Sequence, residues 1–221
     1  MAVFKTQIQD IIGDFDDDVA INQFLTDGAK EIINMMPRDL KEKCMIETTL
    51  SNSHETIDLD TLGGEILYVT RLSADSGGKR LPCRQISLSL AASAADSASI
   101  HYASVTDPVY WISSSNDATI LSVLPTPTAN QTAIVYNIGY PTVVGSDVSA
   151  IANFPDELEY LVVLYAAIKI IERQLIEEED NELYVPIVTT LKQDYLQGLQ
   201  LSGLINQNKQ EGQREWQQKI L

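Results

Sequence analysis

The sequence predicts an α+β fold with a helical bundle body formed by the N- and C-terminal helices, an inserted small antiparallel β domain and an extended C-terminal tail. Apolar residues recur at helical spacing near both ends, whereas short runs of β-forming residues separated by turns fill the middle. The predicted boundaries place residues 1–43 and 154–203 in the helical body, residues 44–153 in the β-rich insertion and residues 204–221 in the tail.

Two amphipathic helices are predicted at the start of the chain. Gly13 ends the first helix, the run Asp16–Asp18 supplies caps for the second, and Pro37 ends the second. Their apolar positions are Phe4, Ile8, Ile11 and Ile12, followed by Ile21, Phe24, Leu25, Ile32, Ile33 and Met36. Each apolar face needs a cover, and the apolar helix that follows residue 154 is the best one available.

The middle of the chain is predicted to form strands. The β-type runs are Cys44–Leu50, Thr56–Leu59, Ile66–Leu72, Arg80–Ile86, Val109–Ser113, Ala118–Leu124 and Ala133–Gly139. Residues 75–79 and 113–117 have the composition of hairpin turns, and Pro125–Pro127 marks a longer bend. The Leu- and Ala-rich stretch Ser87–Ser97 predicts a short helix between strands.

The helix predicted to begin at Pro155 has an acidic first turn and then becomes apolar on every side. Pro155 suits the first helical position, and the acidic residues after it lie at the positive end of the helix dipole. No charged residue interrupts Tyr160–Ile168. Such a helix is buried, either by helices of the same subunit or by neighbouring copies. Another long helix is predicted from Leu183 or Pro186 to Leu201.

The composition is that of a soluble protein with a strong acidic excess. The 221 residues have 44% hydrophobic content, a mean hydropathy of −0.05 and a formal net charge of −16. Only 15 residues are Lys or Arg, so a surface that grips DNA is not expected. Because the N-terminus lacks a secretory signal pattern and the apolar runs are short, an intracellular product without a membrane span is expected. Cys44 and Cys83 are expected to be reduced and half-buried.

The sequence predicts neither catalysis nor a bound cofactor or metal. Asp14 begins a run that resembles the start of a calcium-binding loop, but Val19 replaces the required Gly and Leu25 replaces the required Glu. A Gly-Gly-Lys turn resembles a phosphate-binding loop, but Ser73 replaces the upstream Gly and Arg80 replaces the Ser or Thr after the Lys. No metalloprotease or nucleophile-elbow motif occurs. We therefore assign no catalytic, cofactor-binding or metal-ligating residue.

Aromatic residues offer the remaining binding hypotheses. Tyr102, Tyr110 and Trp111 could form a ligand platform, although aromatic side chains in strands more often pack in a sheet core. Trp216 lies in a polar, Gln-rich terminus without a local core, which favours a contact with a partner. The predicted partner-binding residues of the tail are Arg214, Trp216, Lys219, Ile220 and Leu221.

Five stretches carry a resemblance to a known family. They are Gln23–Ala29, Tyr110–Ile112, Pro125–Pro127, Tyr136–Pro141 and Phe154–Leu161. In this order they resemble the head-to-tail adaptor, or connector, proteins of tailed bacteriophages. The simplest adaptors are small and almost wholly helical, whereas about half of this chain is predicted to be strands and loops. The chain therefore looks more like the larger adaptors of short-tailed or contractile-tailed phages.

The resemblance implies a structural virion protein that joins the portal to the tail or neck and forms part of the DNA channel. The implied partners are other copies in a homo-oligomeric, dodecameric ring, the portal protein, and a downstream tail or neck protein. DNA is expected to pass without specific binding. The implied location is the virion neck, after synthesis in the host bacterial cytoplasm. Two alternatives are another neck, tail-completion or baseplate ring component, and a carbohydrate- or peptide-binding module.

The net charge adds an expectation about assembly. Copies that each carry −16 repel one another, so basic residues are expected at contacts with neighbouring subunits or the portal. The DNA backbone is then repelled from an acidic lumen. The candidate contact residues are Lys30, Arg38, Lys41, Lys43, Arg71, Arg80 and Arg84.

Overall fold

The computed structural model describes residues 3–50, 56–59, 64–73, 77–115, 118–146, 150–177 and 184–205. The helices are α1 (Phe4–Ile12), α2 (Asp18–Met35), α3 (Arg38–Lys41), α4 (Ala91–Ala95), α5 (Glu159–Glu177) and α6 (Tyr184–Leu201). The strands are β1 (Met45–Leu50), β2 (Thr56–Asp58), β3 (Ile66–Ser73), β4 (Lys79–Pro82), β5 (Arg84–Gln85), β6 (Val109–Ser115), β7 (Ala118–Leu124) and β8 (Ala133–Ile138). These elements confirm the predicted α+β class.

The chain divides into two compact units. The helical unit consists of Met1–Cys44 and Tyr140–Leu221, and the β unit consists of Met45–Gly139. Short 3-10 turns at Glu42–Cys44, Leu88–Leu90 and Asp156–Leu158 supplement the helices. The β unit is thus a continuous segment of chain, whereas the helical unit is assembled from both ends.

Local signals define the ends of the first two helices as predicted. Gly13 follows α1 with a φ of 87°, and its N–H donates to the carbonyl of Gln9. Asp17 caps α2, because its carboxylate accepts a 3.0 Å hydrogen bond from the backbone N–H of Ala20. α2 ends at Met35, two residues before Pro37. Each boundary follows from the chemistry of one or two residues.

Helix α5 is the centre of the helical unit. α1, α2 and α6 all pack against it. Its buried residues are Leu161, Val162, Val163, Ala166, Ala167, Ile168, Ile170 and Ile171. The prediction that this helix is buried is confirmed, and its partners are helices of the same chain. The predicted start was wrong in one detail, because Pro155 lies at the cap and a 3-10 turn at Asp156–Leu158 precedes the α-helix.

Two glycines allow the helices of this unit to approach closely. A Cβ atom on Gly28 of α2 would lie 2.8 Å from Cδ1 of Tyr165 and 3.2 Å from its Cβ. A Cβ atom on Gly198 of α6 would lie 2.6 Å from Cδ2 of Leu161. Real Cβ atoms do not approach other atoms this closely, so both positions lack room for a side chain.

The segment after Tyr140 lies with the helical unit, whereas the sequence analysis grouped it with the β insertion. The backbone N–H of Lys5 donates to the carbonyl of Gly145 at 2.8 Å. The N–H of Gly145 donates to Oδ1 of Asn22 at 2.7 Å, and the N–H of Val143 donates to Oγ1 of Thr26 at 3.1 Å. These polar contacts fix the segment to α1 and α2, a long-range interaction that composition does not reveal.

The β unit contains two four-stranded sheets, with strand orders β1-β8-β3-β4 and β2-β7-β6-β5. A buried cluster takes side chains from strands of both sheets, with Val69 and Val135 from the first and Leu121 and Val123 from the second. All pairs are antiparallel except β5 with β6, which is parallel. The expected hairpins β3–β4 and β6–β7 are present, but the description of the insertion as antiparallel was wrong for β5.

Arg71 of β3 is buried, with only 2% of its surface exposed. Its Nε donates to the carbonyl of Pro125 at 2.8 Å, and its Nη2 donates to Oε1 of Gln131 at 2.9 Å. Burial lowers the pKa of the guanidinium. The expectation that Arg71 forms an intersubunit contact was therefore wrong, because its donors are used within the β unit to hold the loop after β7.

Both cysteines are free thiols, and both are more deeply buried than expected. Cys44 is fully buried, and Cys83 is 8% exposed. Burial raises the pKa of Cys44 to about 11 and the pKa of Cys83 to about 12. Neither thiol is therefore activated as a nucleophile.

Candidate assembly site

The partner-binding residues predicted in the tail lie outside the described residues. They are Arg214, Trp216, Lys219, Ile220 and Leu221. The structure does describe the helix that precedes them and the first residues after it, Ser202 to Ile205. The candidate site is therefore built here from the described surfaces that lead to the tail or carry concentrated charge.

Helix α6 ends in a capped terminus directly before the tail. Gly203 has a φ of 71°, a conformation that favours glycine. The N–H of Leu204 donates to the carbonyl of Leu199 at 3.0 Å, and the N–H of Gly203 donates to that of Gln200 at 3.0 Å. This pair of bonds is a Schellman motif, which satisfies carbonyls that the helix end leaves without partners. The helix therefore ends at a defined point, and the tail begins there.

Helix α6 is held against α5 by one apolar stripe. Val188, Leu191, Tyr195 and Leu199 are buried along one face, and Gly198 lies in the same stripe. The spacing of three and four residues places these side chains on one side of the helix. Other apolar side chains of α6 are exposed, including Val185 and Leu196.

A carboxylate on α5 adds a polar link to α6. Glu172 accepts from Nζ of Lys169 at 2.9 Å within α5 and lies 2.8 Å from Nζ of Lys192 on α6. Burial raises the pKa of Glu172, but the hydrogen bonds from Lys192 and Lys169 outweigh burial and lower it overall. The link therefore keeps Glu172 ionised at neutral pH.

The aromatic contact between the same helices is uncharged. The rings of Tyr165 and Tyr195 lie 6.1 Å apart at an angle of 57°. Burial, followed by the charge of Glu31, raises the pKa of Tyr165 to about 12 and also raises the pKa of Tyr195. Both phenols are neutral at physiological pH, which suits a packing role in the body that carries the tail.

The acidic segment before α2 is only partly neutralised. Asp17 accepts from Nη1 of Arg173 on α5 at 2.8 Å, and Asp18 accepts from Nζ of Lys5 at 2.8 Å. Asp10 and Asp14 are exposed and have no ion-pair partner among the described residues. The side chain of Asp16 is 93% exposed and lies 3.6 Å from Lys5. We call Asp10, Asp14 and Asp16 the acidic corner.

The basic residues of the β unit are concentrated in one stretch. All its Lys and Arg residues lie between residues 71 and 84, and no Asp or Glu occurs from residue 76 to residue 95. Arg71 is buried, so the exposed charges are Lys79 and Arg80 on β4 and Arg84 on β5. We call these three residues the basic edge, because β4 and β5 each form an edge of their sheet.

The neighbours of the basic edge leave part of its charge uncompensated. Arg80 donates from Nη2 to Oγ1 of Thr132 at 2.9 Å, so its partner is neutral. Arg84 is 2.9 Å from Oδ2 of Asp107 in an exposed ion pair. Lys79 contacts no carboxylate among the described residues. Two exposed cations are therefore available to an anionic partner.

The aromatic residues considered for a ligand platform do not share a surface. Tyr110 lies in the core cluster with Val69 and Leu121, whereas Trp111 packs on a separate cluster with Val109. This separation follows from the alternation of side chains along β6. Tyr102 is 44% exposed and belongs to neither cluster. The platform hypothesis therefore loses its geometric basis.

The described part of the chain lacks two further kinds of feature. Within it, no group of three or more His, Cys, Asp or Glu side chains is placed to hold a metal ion. The helices found there also include none with the length and apolar character needed to cross a membrane.

Comparison with known protein families matches residues 2–218 to the SU10 adaptor protein family. The chain belongs to that family. It is a family of phage head-to-tail adaptors, so the adaptor resemblance is confirmed at the level of the family. No curated protein matches the chain. The matched residues include the helical body, the β insertion and the tail as far as residue 218 of the adaptor.

The basic edge of the adaptor was not predicted, although its charge pattern is visible in the sequence. Arg80 and Arg84 were named as contact candidates one by one, whereas Lys79 was treated only as part of a turn. The signal was the distribution of charge, since the exposed basic residues Lys79, Arg80 and Arg84 lie within residues 76–95, which contain no Asp or Glu. The placement of this stretch at the sheet edges required the strand order.

Proposed function

We propose that this chain is the subunit of an adaptor ring that joins the portal to the tail or neck and contributes to the DNA channel of the virion. The observation that carries the proposal is the match to the adaptor family over residues 2–218. The role needs positioned surfaces and no catalysis, in keeping with a structural adaptor family. The virion neck is the location that this role requires.

The helical unit supports the proposal as an anchor for the tail. α6 packs on α5 through its buried stripe and is tied to it by Glu172 and Lys192. Its capped end at Gly203 places the start of the tail on a well-packed element. A tail that docks into the portal needs such an anchor, because a loosely packed helix opens locally at low free-energy cost and would not transmit force from the portal to the body.

The tail supplies the proposed portal contact. Trp216, Ile220 and Leu221 are apolar residues in an otherwise polar segment. Aromatic residues dominate the binding energy of many interfaces when they enter a pocket of the partner. Arg214 and Lys219 are proposed to support the contact by pairing with acidic groups of the partner. The same segment could alternatively lie along a neighbouring copy of the ring.

The charge supports passage of DNA without adhesion. The chain has 31 acidic and 15 basic residues, so its average field repels phosphate. A channel that binds DNA tightly would oppose ejection. We therefore propose that the channel surface is acidic and that the basic groups lie at protein contacts.

The test of this function is binding of the full-length chain to the purified portal of the same phage. Trp216→Ala should weaken binding roughly tenfold or more, as expected for an anchor residue. Gln213→Ala, in the same segment, is the matched control and should bind as the unchanged chain does. A chain that stops after Ile205 should keep its melting temperature, because it retains the cap of α6, but should lose portal binding.

Two results would contradict the proposal. One is the absence of binding between the unchanged chain and the portal at micromolar concentration. The other is undiminished portal binding by the chain that stops after Ile205, which would place the contact elsewhere. Binding to a purified tail-completion or baseplate protein in place of the portal would favour the second candidate, another ring component of the neck or tail.

A further inference from the structure

Two exposed and oppositely charged surfaces are found on the same chain. The basic edge lies on β4 and β5 of the β unit, and the acidic corner lies at the end of α1 and in the loop before α2. Each has charge that its own neighbours do not cancel. We propose that the basic edge of one copy binds the acidic corner of a second copy. This inference rests on the proposed ring, and it specifies which surfaces meet.

The basic edge is suited to a contact between proteins. β4 and β5 are edge strands, so one side of each has backbone groups without a strand partner. Lys79 and Arg80 are exposed next to each other in sequence, and Arg80 is held in place by Thr132. A guanidinium oriented by neutral acceptors keeps its charge available for a carboxylate. The side chain is therefore positioned before the partner arrives.

The acidic corner has the matching character. Its carboxylates outnumber the nearby cations, since Lys5 and Arg173 serve Asp16, Asp17 and Asp18 while Asp10 and Asp14 have no cation among the described residues. The corner also exposes apolar surface. Ile11 is 37% exposed and Val19 is 79% exposed. Apolar groups beside charged ones are typical of the rim and core of a protein interface.

A copy of the same chain fits this edge better than DNA does. DNA would have to approach a protein with a net charge of −16 through very few uncompensated cations. A second copy offers carboxylates on a defined surface and meets the edge once per subunit. Because the two surfaces differ, the contact is heterologous, and a heterologous contact builds a ring when its rotation closes.

Edge strands are also given charged residues to prevent pairing with other strands. That role predicts no loss of association when the sign of the charge is reversed, because Glu on an edge strand prevents pairing with other strands as Lys does. The contact proposed here predicts a loss. Reversal of charge therefore separates the two explanations.

The experiment measures self-association of the purified full-length chain by sedimentation velocity over a series of protein concentrations. The buffer contains 0.15 M salt, at which the Debye length is about 8 Å. Lys79→Glu with Arg80→Glu changes the formal charge from −16 to −20, whereas Asp10→Lys with Asp14→Lys changes it to −12. The combined variant returns to −16. The comparison variant is Lys30→Glu with Lys43→Glu, which also gives −20 from exposed residues of the helical unit. Both residues were contact candidates, and Lys43 gives up its 2.7 Å ion pair with Glu157, so this variant tests whether other exposed cations matter as much as the basic edge.

The Asp10 and Asp14 reversal decides the question. Repulsion between net charges predicts that it strengthens association, because the chain becomes less acidic. The proposed contact predicts that it weakens association roughly tenfold, as the Lys79 and Arg80 reversal does, and that the combined variant recovers it. The comparison variant should lose less than the basic-edge variant. All variants should keep their melting temperature within a few degrees.

Several outcomes would overturn the inference. They are an unchanged chain that stays monomeric across the concentration series, an Asp10 and Asp14 reversal that associates as tightly as the unchanged chain, and a combined variant without recovery. Duplex DNA binding that is lost only with Lys79→Glu and Arg80→Glu would assign the edge to nucleic acid. Portal binding by the same variants is measured separately, so failure of this contact is distinguished from failure of the proposed function.

Discussion

Gly28 and Gly198 both lie at close helix–helix contacts, but the two positions should differ in how well they tolerate a larger residue. The nearest atoms at Gly28 are Cδ1, Cγ and Cβ of Tyr165, and the Cβ atom among them moves only with the helix backbone. The obstacles at Gly198 are the ends of the flexible side chains of Leu161 and Tyr160. Gly28→Ala should therefore destabilise the protein by about 1–3 kcal/mol. Gly198→Ala should cost less, because the side-chain ends of Leu161 and Tyr160 can move aside and the helix propensity of Ala offsets part of the remaining strain. Urea unfolding of both variants checks the order, which equal costs or a more stable Gly28→Ala would contradict.

Some single-residue features can be predicted from the local sequence, and others cannot. Gly13, Asp17 and Pro37 act through their own backbone or side-chain chemistry, so the ends of α1 and α2 were predictable. Arg71 was expected at the surface because arginine usually lies there. Its burial depends on Pro125 and Gln131, which lie more than fifty residues away along the chain. No local pattern reports such a contact.

At the scale of elements, an ion pair joins the start of α2 to α5. The backbone N–H of Ala20 and the guanidinium of Arg173 lower the pKa of Asp17 below its usual value of 3.8. The folded-state pKa is thus below the unfolded-state pKa, so the stabilisation is complete above the unfolded value and is lost as pH falls through the folded value. Stability should therefore decline in acid below about pH 4 through this group.

The variant Asp17→Asn removes the carboxylate charge but keeps a capping side chain. Asn caps a helix about as well as Asp does, but it has no charge for Arg173. The difference in unfolding free energy between the unchanged chain and Asp17→Asn should be largest near pH 6 and should shrink as pH falls below 4. Urea titrations at several pH values measure it. A difference that stays constant or grows in acid would show that the carboxylate does not act through its charge.

Elements were predictable where their own period was strong. The apolar stretch of α5 indicated burial, and the structure adds that α1, α2 and α6 cover it. The parallel pairing of β5 with β6 was not predictable. A strand of two residues has no detectable alternation of apolar and polar residues, and its direction relative to β6 depends on the path of residues 86–108, which connect the two strands. The tail contacts stay predictions, since their residues lie outside the described ones.

At the scale of the whole molecule, the net charge should oppose the proposed association of copies. Every copy adds a formal charge of −16, and exposed like charges repel appreciably at separations up to the Debye length, which is about 10 Å at 0.1 M salt and longer at lower salt. Paired charges in contact are screened less than distant ones. Raising salt from about 0.02 to 0.15 M should therefore favour association of the unchanged chain. Light scattering across a salt series measures this, and steady dissociation with added salt would contradict it.

The same field should keep DNA from adhering. A gel-shift assay with duplex DNA at physiological ionic strength should detect no complex at micromolar protein, because few cations are free to replace the counterions of DNA. The Lys79 and Arg80 reversal should give the same result. A tight complex with the unchanged chain would exclude an acidic, non-adhesive channel surface.

The ladder between β1 and β8 has a consequence for how this protein can be taken apart. Met45 begins the β unit and pairs directly with Ile138, next to its last residue. Partners in antiparallel strands have Cα atoms about 4.5–5.5 Å apart, so the first and last residues of the β unit lie close together. Joining Cys44 to Tyr140 by a few Gly and Ser residues should leave the helices closed on themselves. The β unit should therefore be replaceable as one insert, and retention of cooperative thermal unfolding by the joined helical chain would check this.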